Sequence, residues 1–299
     1  NHGTDPDVRF AVMREKVAPV TTPAGMRVVD TCGTGGDHTP TFNVSTTAAL
    51  VAAAAGRTRG MAVAKHGNRT VTRASGSSQG LEALGVKLDV DADTLARCLE
   101  EAGFCFCFAP AHHPAMKHAM PVRMELGMRT IFNLLGPLTN PAGATRQVLG
   151  VFEAKLTRTL AQVLANLGCE RAMVVHGLAD DAGVKGFCEL SVSGPSQVSE
   201  VIDGKVSSRV IDAANHGLQR VKLESLFVED PAGSAKVMRA VLEGAAGGAR
   251  DIVCLNAAAA LVVGEAAADL DQGLSQAREA IDSGAARAVL TKLIDITNG

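Results

Sequence analysis

Three short stretches of the 299-residue chain gather residue types suited to phosphate and carboxylate chemistry. Gly33-Thr34-Gly35-Gly36-Asp37 offers main-chain N–H groups with little side-chain cover, and Asn43, Ser45 and Thr46 follow where a helix should begin. Such a loop can close around a phosphate with its N–H groups, and the open N–H groups and dipole of the helix start add to the attraction. The expected ligand is an oligophosphate. The same glycines would equally serve a plain turn, with Ser45 or Thr46 capping the helix, so the loop alone decides little. It is neither the G-x-x-x-x-G-K-[ST] loop nor the G-x-G-x-x-G fingerprint, which disfavours a nucleoside triphosphate or a dinucleotide.

The second stretch is Lys65-His66-Gly67-Asn68-Arg69. Lys65 supplies a point charge for phosphate, while His66 and Asn68 supply donors and acceptors for a second substrate. Left to themselves, Lys65 and Arg69 would read as solvated loop charges. The third holds Arg123, whose guanidinium fork suits a carboxylate, although Glu125 nearby is an equally good surface partner.

These side chains need a frame. Residues 26–31 form a short apolar run before the glycine cluster, and the Ala/Val/Leu-rich 45–55 predicts a helix closed by Gly56. Residues 60–64 predict a second strand leading into Lys65, then a helix over about 77–84 stopped by Gly85. Leu156, Leu160, Val163, Leu164 and Leu167 recur at helical spacing ahead of a strand at 172–176, and helices are expected over 234–243, 256–268 and 274–283. Alternating strands and helices imply a parallel sheet. The proline-punctuated stretch 110–141 lacks a strand pattern and predicts an excursion into a helical subdomain. Cys105 and Cys107, alternating with Phe104, Phe106 and Phe108, read as a buried strand. His112, His113 and His118 lack the partner spacing of a metal site.

Composition narrows the function classes. At 46% apolar residues the chain can bury a full core. A net charge of -2 supplies no general attraction to nucleic acid or anionic lipid, and the absence of Trp and Tyr removes the usual base-stacking platforms. No nucleic-acid partner is expected. Seven scattered cysteines without a C-x-x-C pair suggest neither a disulfide framework nor a zinc site, which suits a cytoplasmic protein. No apolar run reaches the roughly 20 residues that a membrane span needs.

Taken in order, GTGGD (33–37), TFNVST (41–46), KHGNR (65–69), RTIFNLLGPLTNP (129–141) and LNAAAAL (255–261) resemble the anthranilate phosphoribosyltransferase family over nearly the whole chain. The resemblance implies an α/β fold: a large doubly wound, mostly parallel sheet domain (residues 23–110 and 136–299) beside a small all-helical domain (1–22 and 111–135). It implies transfer of 5-phosphoribose from phosphoribosyl pyrophosphate (PRPP) to the amine of anthranilate, in tryptophan synthesis. By the same resemblance PRPP is held by Gly33, Gly36, Asp37, Thr41, Asn43, Val44, Ser45, Thr46, Lys65, His66, Gly67, Asn68, Arg69, Arg73 and Ser77. Anthranilate faces Gly33, His66, Asn68, Arg123 and Gly136. Magnesium is the implied cofactor, with Ser45 a contributor. No acid–base residue is assigned; His66 is the sole nearby candidate, and orienting substrate suits it better than proton transfer. A homodimer is implied where the family's N-terminal helices are present.

The chain departs from the family pattern at three places. The magnesium-binding Asp-Glu pair reads Cys188-Glu189 here, after an extra stretch, 178–187, that holds Asp180 and Asp181. A soft thiol is no replacement for a carboxylate toward magnesium, so either Asp181 or Asp180 folds in to supply the oxygen or one magnesium site is weakened; with Ser45 and Glu189 from the resemblance, Asp181 is the third expected metal residue. Family members also carry several helices before the segment resembling 9–17, and the usual Ala-Asp after the serine near Ser77 is Ser78-Gln79. Two other readings compete: a same-fold transferase or phosphorylase with another acceptor, and a family-like binding protein without catalysis.

Overall fold

A computed structural model describes residues 17–70, 74–113, 132–179 and 186–299. Arg73, Arg123, His118, Asp180 and Asp181 therefore lie outside the described residues.

Seven strands form one sheet in the order β3-β2-β1-β4-β5-β6-β7. They are β1 (Arg27–Gly33), β2 (Met61–Gly67), β3 (Phe104–Phe108), β4 (Arg146–Gly150), β5 (Arg171–Gly177), β6 (Ser196–Ile202) and β7 (Lys205–Ile211). The first five run parallel, and β6 and β7 add antiparallel strands at one edge. The central strands are buried on both faces and mostly apolar in their middles, with polar residues such as Asp30, Lys65 and Gln147 set among them. On one face Val148, Met173 and Val175 join the core beneath helices α1 (Val44–Gly56), α2 (Ser77–Leu84), α4 (Pro231–Leu242), α5 (Gly248–Val263), α6 (Leu270–Asp282) and α7 (Ala285–Asn298). On the other, Leu149, Val151, Ala172 and Val174 pack with Leu160, Ala161 and Leu164 of α3 (Leu156–Asn166). Helices on both faces of a mostly parallel sheet make the fold doubly wound.

The chain leaves β1 toward β2 on one side and later returns to β4 on the other, so strand order reverses between β1 and β4. At that point the connections leave in opposite directions, opening a crevice at the C-terminal ends of the strands. Gly33, Lys65 to Gly67 and Gly150 all end there.

Several boundaries differ from the sequence expectation. The second strand extends through Gly67, so Lys65 and His66 sit on the strand rather than in the following loop. Its partners account for this: His66 pairs with Cys107 and Gly67 with Phe108 of β3. Helix α5 begins at Gly248, placing Asn256 in its interior instead of at its start.

Candidate active site

The loop after β1 carries left-handed backbone at Gly35 (φ 62°), Gly36 (φ 82°) and His38 (φ 57°), the kind of turn that can present main-chain N–H groups to an anion, while the Thr34 N–H donates to the Gly150 carbonyl at 2.9 Å. Gly33 is exposed to the crevice, and no side chain caps the start of α1 immediately beyond. Asn43 has another task. Its carboxamide oxygen accepts from Ser75 and Ser234 hydroxyls at 2.7 Å each, and its NH2 donates to the Ser75 carbonyl at 3.1 Å. Asn43 thereby ties the loop before α2 to α4. Thr41 is buried at an isolated bridge to Phe227, and Val44 and Thr46 are buried as well.

Lys65 is 2% exposed. Its ammonium donates to the Thr31 carbonyl and stands 3.4 Å from Ser45 Oγ, joining β2 to the start of α1. Burial pulls the lysine below its usual range, opposed by the Asp30, Cys32 and Glu189 side chains. Asp30 is its buried counter-charge. Burial raises that carboxyl, while Asn140, Lys65 and the His66 N–H at 3.0 Å favour its ionised form. Asn140 also donates to the Ala64 carbonyl at 2.8 Å, so the LTNP turn is stitched beneath the KHG strand end.

His66 meets His113 through their Nε2 atoms at 3.1 Å. Asn68 and Arg69 are exposed; Arg69 pairs with Glu82 at 2.6 Å and lies over the Phe108 ring. Ser77 sits on the start of α2 with its hydroxyl 3.4 Å from the Asn68 carbonyl. Gln79, in the Ser78-Gln79 departure, accepts from Thr70 N–H at 3.2 Å and Gly76 N–H at 3.0 Å, closing the same loop. The close approach of β2 to α2 requires Gly67, where an added Cβ would lie 2.3 Å from Ser77 Oγ. Gly136 begins the turn at Gly136–Leu138, and its main chain acts on His66, favouring the protonated ring against the effect of burial.

Across the crevice, Cys188 reaches the glycine loop, with Glu189 beside it in sequence. The Asp37 carboxylate accepts from Cys188 N–H at 2.9 Å, and the Cys188 thiol lies 3.8 Å from Thr34 Oγ1 and 3.9 Å from the Gly35 carbonyl. Glu189 is 4% exposed. Its side chain, Ser45, Cys188 and Asn256 line one cavity of about 10 Å³, room for roughly one water-sized occupant. A carboxylate and a hydroxyl are hard oxygen donors and suit magnesium, which keeps waters and phosphate oxygens for its remaining positions. The Cys188 sulfur does not suit it.

The structure thus brings together Gly33, Gly36, Asp37, Ser45, Lys65, His66, Gly67, Asn68, Ser77, Gly136 and Glu189 at one sheet edge. Sequence reasoning missed Asp30, His113, Asn140 and Asn256. Asn256 alone carried a readable signal, being a polar side chain inside an alanine-rich apolar run.

Comparisons with known proteins agree with this geometry. Residues 25–287 match the family model described as glycosyl transferase family, a/b domain. The chain is 51% identical to an anthranilate phosphoribosyltransferase of Thioalkalivibrio sulfidiphilus, over 96% of this chain and 81% of that protein. It is 47% identical to one from Methanocorpusculum labreanum, over 97% and 82%. Among solved structures, the Thermus thermophilus anthranilate phosphoribosyltransferase superposes with a TM-score of 0.87 at 40% identity, covering 98% of this chain and 84% of that one. The Saccharomyces cerevisiae enzyme, solved in complex with PRPP and Mg, gives 0.85 at 27% identity, with 98% and 79% covered. With the motifs, the crevice and these relatives in accord, the chain belongs to the anthranilate phosphoribosyltransferase family.

Proposed function

We propose that this chain transfers the 5-phosphoribosyl group of PRPP to the amine of anthranilate and releases pyrophosphate. The observation that carries the reading is the convergence of the glycine loop, Lys65 and the Ser45/Glu189 pair at the strand-order reversal. Breaking the bond from ribose C1 to pyrophosphate builds positive charge on the sugar and negative charge on the leaving oxygens. The glycine loop of 33–37, the start of α1 and the Lys65 ammonium supply the donors and positive charge set against that negative charge. Magnesium, when bound with PRPP, supplies further charge neutralisation at the leaving oxygens; Ser45 and Glu189 would hold it, joined by Asp181 from outside the described residues.

The amine needs placement more than activation. Asn68 and the neutral His66 orient anthranilate beside Gly33 and Gly136, and Arg123, from the small helical domain of 1–22 and 111–135, takes its carboxylate. Thr41, Asn43, Val44, Thr46, Arg69, Arg73 and Ser77 complete the PRPP site directly or by holding its walls. Where the family's N-terminal helices are present, the functional unit is a cytoplasmic homodimer. Among the described residues no helix is long and apolar enough to cross a membrane.

Loss of anthranilate fluorescence on mixing the chain with PRPP, across a magnesium titration, tests the reading. Turnover should require magnesium, and Arg123→Ala should lower kcat/KM for anthranilate by about 10- to 100-fold, the worth of a charge-assisted hydrogen-bonded pair. A folded chain that binds PRPP yet leaves anthranilate unchanged at every magnesium concentration would point to another acceptor. Sedimentation of the same sample reports the dimer.

A further inference from the structure

Residues 186–194 are buried throughout, yet they form no regular strand beyond a single bridge between Phe187 and Gly177. Buried main chain without a ladder needs other partners for its N–H and C=O groups. Side chains provide them. Asp37 accepts from Cys188 N–H, Asn256 Oδ1 from Leu190 N–H at 2.9 Å, Ser196 from Ser191 N–H at 2.9 Å and Ser191 from Ser193 N–H at 2.9 Å.

Two of these clamps flank Glu189. On one side Cys188 is held by Asp37, which belongs to the glycine loop. On the other, Asn256 grips Leu190 at two points, accepting from its N–H and donating to its carbonyl at 3.0 Å. The second hydrogen of the Asn256 NH2 goes to the Ile252 carbonyl at 2.8 Å, one turn back on α5. The helix around it is fully buried, with Val253, Leu255, Ala257 and Ala260 at 0% exposure. The segment is also pressed against the strand ends: a Cβ at Gly150 would lie 1.7 Å from the Cys188 carbonyl oxygen, and one at Gly177 2.4 Å from that of Glu189.

We propose that Asn256 is a positioning residue for the transfer reaction: from the core of α5 it fixes the Leu190 main chain, sets where the Glu189 carboxylate stands opposite Ser45, and so sets the affinity for the divalent cation that accompanies PRPP. The inference rests on the reading of Glu189 as a cation ligand. Outer partners of this kind typically change metal affinity by about 10- to 100-fold when removed.

The test is a Mn2+ titration of the full chain at fixed PRPP, followed by electron paramagnetic resonance, for the parent, Asn256→Ala, Asn256→Ser, Glu189→Gln and Gln276→Ala. Gln276 is a control: it is a buried amide on α6 that donates to the Ala266 carbonyl at 3.2 Å and is not among the clamps on 186–194. Asn256→Ala should weaken Mn2+ binding about 10- to 100-fold. Asn256→Ser, which leaves room for a bridging water, should weaken it less and carries the test should the alanine variant not fold. Gln276→Ala should melt lower yet bind Mn2+ as the parent does. Parent-like Mn2+ affinity in the Asn256 variants, with affinity lost in Glu189→Gln, would overturn the positioning role alone. Parent-like affinity in Glu189→Gln would overturn the ligand reading beneath it. Equal losses in Gln276→Ala and Asn256→Ala would reduce the effect to general destabilisation and equally overturn the proposal.

Discussion

His113 Nε2 lies 3.1 Å from His66 Nε2, the two rings meeting edge to face. A hydrogen bond between two ring nitrogens needs one donor and one acceptor. With a single proton between the two facing nitrogens, at least one of the two rings is neutral. Burial, with His113 and His112 alongside, lowers His66 to about 3; burial and His112 lower His113 to about 4. A base that weak has little use in proton abstraction near neutrality.

The histidine pair gives a signed pH dependence. Folded pKa values lie below the unfolded 6.5, so the unfolded chain takes up protons that the folded chain declines. Stability from the pair should be complete above pH 6.5 and be lost as pH falls toward 4 and then 3, by up to about 1.4 kcal/mol per pH unit for each histidine. Denaturant titrations at pH 4.5 to 7.5 should show a shallower slope for His66→Asn than for the parent. Equal slopes would mean that His66 is protonated in the folded protein.

Lys65 and Asp30 are buried groups of opposite charge that act on each other through space. Lys65→Met removes that influence from the Asp30 carboxyl and should lower stability by about 1–3 kcal/mol, whereas adding Asp30→Asn to it should recover part of that loss. A coupling of about 1 kcal/mol or more in the double-mutant cycle is expected from chemical denaturation, and strict additivity would deny the pairing.

Gly150 leaves the space that the Cys188 carbonyl occupies: a Cβ there would lie 1.7 Å from that oxygen. In Gly150→Ala the added methyl meets main chain that cannot rotate away, so the variant should lose about 3 kcal/mol, toward the upper end for overpacking. Its magnesium requirement should rise as 188–190 is displaced. Parent-like melting and metal dependence would show that the segment moves freely.

Cys188→Asp exchanges a thiol near the Gly35 carbonyl for a carboxylate that cannot donate to it and that stands near Asp37. Without metal the variant should be less stable by about 1–2 kcal/mol from the added repulsion and the lost donor. With PRPP present, the hard oxygen should lower the half-saturating magnesium concentration by about 3- to 10-fold. An unchanged magnesium requirement would show that residue 188 lies outside the cation's reach.

Sequence alone determined the family, the class of fold and the motifs whose residue types suit the chemistry. GTGGD, TFNVST and KHGNR are local: a glycine-rich turn, a helix start and a charged strand end reveal their properties within a few residues. Strand–helix alternation likewise foretold a doubly wound sheet, and the apolar β-rich runs marked its core. What sequence could not show were partners brought close only by folding. Asp30 beneath Lys65, His113 against His66, and Asn256 gripping Leu190 are separated by 35, 47 and 66 positions, and no local periodicity relates them. The extent of β2 was also a tertiary decision, since Lys65 to Gly67 become strand by pairing with Phe106 to Phe108 of β3. The place of Cys188-Glu189 followed in the same way. An irregular, buried segment holds its shape through side chains contributed by other elements, and only the packed sheet and α5 bring those side chains within hydrogen-bonding distance.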